Sequence, residues 1–368
     1  MEALAALGAV DFLMWVVTGI STGLTQGFSI QLSQYYGAKD FENLRKSLAH
    51  SYRLTAFIAA GVLILSQSFA SLVLTGLHTP SNIIGMSLLY LRIIFCGIPA
   101  TAAYNMFASA LRAMGNSKTP LTAMIIASVL NVSLDILFVA GFGWGVAGAA
   151  IATVIAQSFS AVYCFLILRR IDIVHLTRAD FMPASGMNVR LMKLGIPVVF
   201  QNIIIGVGGL VVQYVINGYG FLFVAGFTAT NKLYGLLEMA AISYGYAIVT
   251  YVGQNLGAGK IDRIRKGVRS SMLLSLLTSL IISGSQILTH IGNDGISIGN
   301  SSHFQQTIKL VCSCKSCYKK ETVAIDHILD ILFVAGFGWG VAGAAIATVI
   351  AQSFSAVYCF LILRRNDQ

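Results

Sequence analysis

The sequence predicts an all-α polytopic membrane protein, and three observations carry this prediction. The chain has 368 residues, of which 56% are hydrophobic and only 10% charged, and its mean hydropathy is +0.78. A soluble core cannot hide that much apolar surface. Several apolar runs reach the roughly 20 residues that a helix needs to cross a bilayer. Finally, the basic residues gather in alternate loops between these runs, which is the asymmetry that orients membrane proteins.

About nine spans are predicted from the apolar runs. They lie near residues 10–33, 52–76, 83–110, 121–140, 145–167, 194–216, 221–251, 270–289 and 341–363. The basic residues that follow the first, third, fifth and seventh spans include Lys39, Arg45, Lys46, Arg112, Lys118, Arg169, Arg170, Lys260 and Arg263. The loops near 76–83, 141–145 and 217–220 contain no Lys or Arg. Under the positive-inside rule the first set of loops is cytoplasmic and the second set external.

A diverged internal repeat indicates two related halves. QYYGAKDFENLRK at 34–46 aligns with QNLGAGKIDRIRK at 254–266. The identical positions are Gln34, Gly37, Ala38, Arg45 and Lys46, which match Gln254, Gly257, Ala258, Arg265 and Lys266. Each copy stands where a helix leaves the membrane, with glycine for the helix stop and cations for the headgroups. Such a repeat is typical of the two halves of a transporter.

A second repeat is identical in every residue and has a different origin. Residues 134–170 recur unchanged as 329–365, at an offset that differs from that of the diverged repeat. The polar, aperiodic segment before the second copy indicates out-of-frame or chimeric sequence. The predicted parts are an N-terminal bundle at 1–168, a cytoplasmic linker at 169–193, a partial C-terminal bundle at 194–290, a foreign polar segment at 291–328 and the duplicate with its tail at 329–368.

Several motifs give the chain a resemblance to a known family. With LRAMGNSKTPL at 111–121, NVSLDILFV at 131–139, GWGVAGAAIAT at 143–153 and the paired Q-x-x-G-A motifs, residues 1–290 resemble the multidrug and toxic compound extrusion (MATE) family. The resemblance implies twelve helices in two six-helix bundles that export drugs and organic cations by alternating access, coupled to Na+ or H+ entry. Against that plan we expect the first helix and the last three to be missing.

The resemblance also implies a cation site, which by motif falls on Asn131, Asp135 and Thr153. Residues four apart share one face of a helix, which joins Asn131 to Asp135. Asn131 lies 11 residues before Phe142 and Thr153 lies 11 after it, so an antiparallel helix pair puts both at equal depth. Oxygen ligands suit a small hard cation, and a carboxylate in the bilayer costs about 2.5 to 3.5 kcal/mol unless it has a role there. The alternative is an Asp135 that forms a structural hydrogen bond.

Three further polar residues are assigned to a substrate chamber: Gln26, Gln201 and Glu238. Gln26 lies in TGISTGLTQGFS at 18–29, where small residues permit close helix contact, and packing alone is the alternative. Gln201 carries an amide, which cannot take a proton, and this argues against a role for Gln201 as a second cation site. Glu238 is either a cavity residue or a structural hydrogen-bonding group. Pro99 and Pro197 are predicted to kink their helices.

Composition and motifs exclude other classes of function. The chain has no Walker loop, dinucleotide fingerprint or nucleophile–base constellation, so we expect no enzyme activity. A zinc site on Cys312, Cys314 and Cys317 is disfavoured, because a second clean ligand pair is absent. Apart from Na+ or H+ as coupling ion, no cofactor or metal is predicted.

The predicted partners are small-molecule drugs or organic cations and the lipid bilayer, without nucleic acid. The chain is expected to be a monomer in the bacterial cytoplasmic membrane. Two other interpretations stay open. One is an inactive truncated or chimeric membrane polypeptide, and the other is a flippase for lipid-linked substrates.

Overall fold

The computed structural model describes residues 10–76, 81–217, 243–271, 273–274 and 277–278, and the regular structure in these ranges is helical. The first seven helices are α1 (Asp11–Gly37), α2 (Phe41–Gly76), α3 (Ser81–Cys96), α4 (Ile98–Ala113), α5 (Lys118–Asp135), α6 (Gly145–Arg169) and α7 (Met187–Asn217). Further helix covers 243–257 and 261–271. The all-helical prediction is therefore confirmed for these ranges.

Within the described ranges, four helices are long and apolar enough to cross a membrane. They are α2, α5 with the stretch that continues it to Gly141, α6 and the part of α7 up to Gly209. The bent pair α3 and α4 is a fifth if it counts as one span. At 27 residues α1 is long enough, but its Gly, Ser, Thr and Gln residues lower its hydropathy. Most of the predicted spans at 221–251 and 270–289, and all of 341–363, lie outside the described residues.

The predicted third span breaks at Gly97. Two helices meet there at an angle of 46°, and Pro99 occupies the second position of α4, where a helix needs no N–H donor. The kink expected at Pro99 is therefore confirmed. Pro197 lies inside α7, and the kink expected there stays a prediction.

Helices α1 to α4 and α6 pack around two apolar clusters. The first cluster includes Phe28, Leu48 and Leu111 together with Val174 from the segment after α6. The second lies towards the opposite end of the bundle and includes Leu74 and Phe95. Buried side chains thus hold both ends of this bundle, while α5 presents most of its apolar side chains outwards.

The segment between α6 and α7 folds against the start of α2. It contains two short 3-10 helices, Asp172–Val174 and Arg178–Phe181. Buried Asp180 accepts hydrogen bonds from the Thr177 N–H (2.7 Å) and hydroxyl (2.8 Å). On α2, the ring of His50 lies 2.7 Å from Asn188 Oδ1 and 3.1 Å from the Met182 carbonyl oxygen. The polar contacts fix this segment in place.

A row of glycines lets α1 approach α7 closely. Gly19, Gly23 and Gly27 are four residues apart and so share one face of α1. A Cβ added to Gly23 would lie 2.9 Å from the Val199 backbone. The Asn202 side chain donates a hydrogen bond of 2.9 Å to the Gly19 carbonyl. This is the close contact of small residues that stabilises helix pairs in membranes.

The chain divides into two compact units. The first holds the described residues up to Leu210 together with Gly253–Gly259, and the second holds those from Val211 to Val252 and from Lys260 onward. The sequence predicted that the C-terminal bundle begins at residue 194. Residues of α7 beyond that point, such as Val199 and Asn202, contact α1 and belong to the first unit. The domain boundaries from the sequence stay predictions, and those beyond residue 278 fall outside the described ranges.

Candidate functional site

Asn131 and Asp135 lie on the inward face of α5. This face repeats every four residues and begins with Ala123 and Ala127, both of which are buried. The remaining faces of α5 carry exposed apolar side chains, including Met124, Ile125, Val129 and Val132. Because the polar pair continues the buried row, it points into the bundle instead of towards lipid.

The register of α5 against α6 puts Asn131 and Thr153 at the same depth. A Cβ added to Gly148 would lie 3.0 Å from Phe138, and at the other end Ser160 Oγ lies 3.4 Å from the Ala123 carbonyl oxygen. Asn131 is seven residues before Phe138 and eight after Ala123, so it falls opposite residues 152–155. The equal depth expected from the sequence therefore holds in the structure.

Three buried polar atoms along this helix pair have no hydrogen-bond partner. They are Asn131 Nδ2, Asp135 Oδ1 and Gln157 Oε1. A buried polar group without a partner costs about 1–3 kcal/mol. Helices α1 and α2 hold five more such atoms, so the feature that marks this place is the pair Asn131 and Asp135, one turn apart on the same face of α5. Thr153 uses its proton in a 3.0 Å bond to the Ala149 carbonyl, which leaves the lone pairs of its oxygen for a ligand.

Gln157 was not among the residues singled out from the sequence. It lies one turn beyond Thr153 on the same face of α6, so helical periodicity from Thr153 is the signal that identifies it. The carboxylate of Asp135, the hydroxyl of Thr153 and the amide oxygen of Gln157 are all hard oxygen donors. Amide O and N positions are assigned from hydrogen bonding, so Asn131 can present its oxygen after a flip. The donor set fits a small cation or a proton.

The backbone changes geometry directly after Asp135. Residues Ile136–Gly141 form a π-helical stretch, a feature that occurs frequently at functional sites. The following turn has positive φ at Gly143 (69°) and Gly145 (53°), which only glycine adopts at little cost. Phe138, Phe142 and Trp144 pack around this turn with ring centroids 5.2 to 6.0 Å apart. The glycines thus allow the backbone conformation of this turn, and the aromatic rings pack around it.

The residues assigned to a substrate chamber remain predictions. Gln26 is half-buried on α1, and Gln201 is half-buried on α7, where its neighbour Asn202 makes the contact with α1. Glu238 lies outside the described residues. The hydrogen bond from this part of α7 to α1 is made by Asn202, and the assignment of Gln201 to a chamber stays a prediction.

In the described part of the chain, no group of three or more His, Cys, Asp or Glu side chains is placed to hold a metal ion. The cysteines at 312, 314 and 317 and the histidines at 303 and 327 lie outside that part, so the disfavoured zinc site is not addressed. Nor is the second copy of the duplicated segment. The oxygen cluster of α5 and α6 is therefore the candidate site.

The helical spans with their outward apolar faces define a multi-pass membrane protein, and the buried oxygen cluster is the kind of site that membrane transport proteins carry. Comparison with known families agrees. The sequence profile of the MatE family matches residues 1–137 and 197–291. The chain therefore belongs to the MatE family of multi-pass cell-membrane transporters.

Curated relatives come from bacteria. The chain is 27% identical to the probable multidrug resistance protein YoeA of Bacillus subtilis, over 75% of this chain and 62% of YoeA. It is 31% identical to the probable multidrug resistance protein YpnP of the same species, over 72% of this chain and 59% of YpnP. The chain thus spans about three fifths of the length of these two relatives. The multidrug export protein MepA of Staphylococcus saprophyticus matches at 23% identity over 95% of this chain and 82% of MepA.

Solved structures of membrane transporters share the fold. An outward-facing multidrug resistance MATE family transporter superposes with a TM-score of 0.84 at 20% identity, covering 99% of this chain and 88% of that chain. A MOP superfamily transporter from Pyrococcus furiosus gives 0.85 at 19% identity, over 99% of this chain and 88% of that one. The two-bundle architecture that the resemblance implied is thereby confirmed as the fold class.

Proposed function

We propose that this protein exports drugs and organic cations, and that entry of Na+ or H+ at the oxygen cluster of α5 and α6 drives the export. The observation that carries the proposal is the set of buried, unpartnered polar atoms on Asn131, Asp135 and Gln157. The names of the bacterial relatives support the substrate class. Since the chain is shorter than those relatives, its transport activity is itself part of the proposal.

In this mechanism Asp135 is the group that changes charge. With its carboxylate ionised, Asp135 has no ion-pair partner among the described residues and leaves one oxygen without a hydrogen bond, which is costly away from water. A sodium ion bound by Asp135 together with Asn131 and Thr153, or a proton on Asp135, removes that cost. The adjacent π-helical stretch Ile136–Gly141 is where α5 can repack when the charge disappears, because its backbone already departs from α-helical bonding.

The test measures efflux of a fluorescent organic cation from energised membrane vesicles that carry the full chain. Asp135→Asn keeps the shape of the side chain and removes its charge. We expect the efflux driven by an imposed Na+ or H+ gradient to fall at least tenfold. Thr153→Val removes a ligand oxygen without touching the charge, and we expect a higher cation concentration for half-maximal efflux.

Ser133→Ala is the matched control. Ser133 is two residues from Asp135 but faces outwards and bonds only its own helix at the Val129 carbonyl (2.8 Å). Its variant should transport like the parent. Equal gradient-driven efflux in Asp135→Asn and Ser133→Ala would remove Asp135 from the mechanism. Absence of efflux in the parent chain under every gradient would instead favour the inactive, chimeric polypeptide.

A further inference from the structure

A groove lies between α2 and α3 on the surface of the first compact unit. Its volume is about 660 Å³, and its lining combines apolar side chains with Gln67, Ser68 and Arg92. Ligand sites in proteins commonly enclose about 300–1,000 Å³. The Gln67 amide donates hydrogen bonds to the Arg92 carbonyl oxygen (2.8 Å) and to Cys96 Sγ (3.3 Å). These bonds join the two helices at the groove and fix its walls.

The polar and the apolar lining residues occupy opposite ends of the groove. Helix α2 runs from the cytoplasmic side to the external side, so Leu63 and Ile64 lie deeper in the membrane than Ser68. Helix α3 runs back from the external side, so Arg92 lies about 6 Å further out than Cys96 along the helix. The polar end therefore faces outwards and the apolar end faces the middle of the membrane. Headgroup and acyl chain of an outer-leaflet lipid follow the same order.

Arg92 is the charged residue of the groove. Its side chain is exposed, and it forms no ion pair or hydrogen bond with the residues that the structure describes. Helical side chains lean towards the N-terminus of their helix, and α3 begins on the external side, so the Arg92 side chain leans outwards along the groove. A charged residue within a membrane span usually has a partner. The guanidinium is thus open to an anion that comes from the bilayer.

We propose that this groove binds an anionic phospholipid of the outer leaflet, with the phosphate on Arg92 and one acyl chain along Leu63, Ile64 and Ile93. A guanidinium is a planar fork that pairs with two phosphate oxygens at once. The lining contains no acidic residue, so its charge is complementary to a headgroup with a net negative charge. We call this site the lipid groove. It does not depend on the proposed export function.

The deep end of the lipid groove adjoins the break between α3 and α4. Cys96 is the last residue of α3, and the two helices meet beyond it at an angle of 46°. A bound lipid contacts α2 and α3 together, so it holds α3 against α2 beside this break. A ligand that binds only the folded protein raises its stability. The lipid should therefore raise the resistance of the protein to heat.

The first experiment locates the lipid on the protein. The full chain is reconstituted in phosphatidylcholine vesicles with a small fraction of phosphatidylglycerol that carries a photoreactive diazirine in its acyl chain. Mass spectrometry after illumination and digestion identifies the cross-linked residues. We expect cross-links at Leu63, Ile64 and Ile93 at least tenfold above those at Val129 and Val132, which are exposed on the apolar surface of α5.

Arg92→Gln removes the charge and should lower the cross-links in the lipid groove at least fivefold, with those on α5 unchanged. Arg170→Gln, at an exposed arginine that follows α6, is the matched control and should cross-link like the parent. Unlabelled phosphatidylglycerol should compete, whereas phosphatidylcholine and inorganic phosphate should not. Groove cross-links no stronger than those on α5, or unchanged in Arg92→Gln, overturn the proposal. Equal competition by phosphatidylcholine or by inorganic phosphate also overturns it.

The second experiment fills the apolar end of the groove and leaves Arg92 in place, in case Arg92→Gln folds poorly. Ile64 lines the groove and is 65% exposed, and Leu72 on the same helix is 66% exposed but does not line it. The readout is the temperature at which half of the monodisperse protein is lost on heating in detergent. Phosphatidylglycerol should raise this temperature by about 2–4 °C for the parent and for Leu72→Trp, but not for Ile64→Trp. Equal rises in all three chains, or none in the parent, would contradict lipid binding in the groove.

Discussion

Gly27→Ala is expected to weaken the contact between α1 and α7. The three atoms nearest to the new methyl are all main-chain atoms of α7: Gly195 Cα, the Gly195 N at 2.6 Å and the Leu194 carbonyl oxygen at 2.7 Å. Ordinary contact begins at 3.4 Å, so one helix must move by about 1 Å. Overpacking of this kind costs about 1–3 kcal/mol. Main-chain atoms cannot rotate away, which favours the upper part of that range.

Part of this cost is offset, because alanine in a helix is more stable than glycine by about 1 kcal/mol. The net loss for Gly27→Ala is therefore about 1–2 kcal/mol. The measurement is the temperature at which half of the monodisperse protein is lost on size-exclusion chromatography after heating. We expect that temperature to fall.

Two other glycines give a graded comparison. In Gly195→Ala the new methyl meets flexible side-chain atoms, Leu24 Cδ2 at 3.0 Å and Phe28 Cε1 at 3.3 Å. Its heating midpoint should therefore fall less than that of Gly27→Ala. In Gly61→Ala the new methyl meets nothing within 4 Å. The stability of this variant should rise by about 0.5–1 kcal/mol from helix propensity alone. If Gly27→Ala proves as heat-stable as Gly61→Ala, the inferred close packing of α1 and α7 is wrong.

Two further predictions concern the segment between α6 and α7. Asp180→Ala removes the acceptor for both Thr177 hydrogen bonds and should lower the stability of the segment by about 1–2 kcal/mol, the range of a lost helix cap. We expect trypsin to cleave the segment faster than in the parent. Cleavage at the parent rate would contradict the prediction. His50→Leu leaves the Met182 carbonyl without its ring partner and should lower the heating midpoint by the equivalent of about 1–3 kcal/mol. Asp172→Ala, at a fully exposed side chain, is the control for both and should behave as the parent.

Hydropathy and charge were sufficient to predict the helical fold. A helix buried on one face needs small or polar residues at a fixed spacing, and Ala127, Asn131 and Asp135 supply them at intervals of four. The equal depth of Thr153 and Asn131 followed from counting residues along both helices from the short turn at Phe142. Those features depend on local periodicity alone, which a sequence displays directly.

Other features depend on which elements meet in space. The repeat at Gln34 and Gln254 was visible in the sequence, but nothing local tells that its two copies touch. Gln157 lies within an apolar run. A single amide in such a run indicates a site only when it is known which helix face it shares with other polar residues. The π-helical stretch after Asp135 is a choice of backbone hydrogen bonding, and its side chains are ordinary apolar ones.

Each copy of the diverged repeat receives the main chain of the other, because a Cβ on Gly37 would meet Gln254 and a Cβ on Gly257 would meet Gln34. A substitution that adds bulk at either glycine therefore requires the opposite segment to shift, so these two positions constrain each other although they are 220 residues apart in the chain.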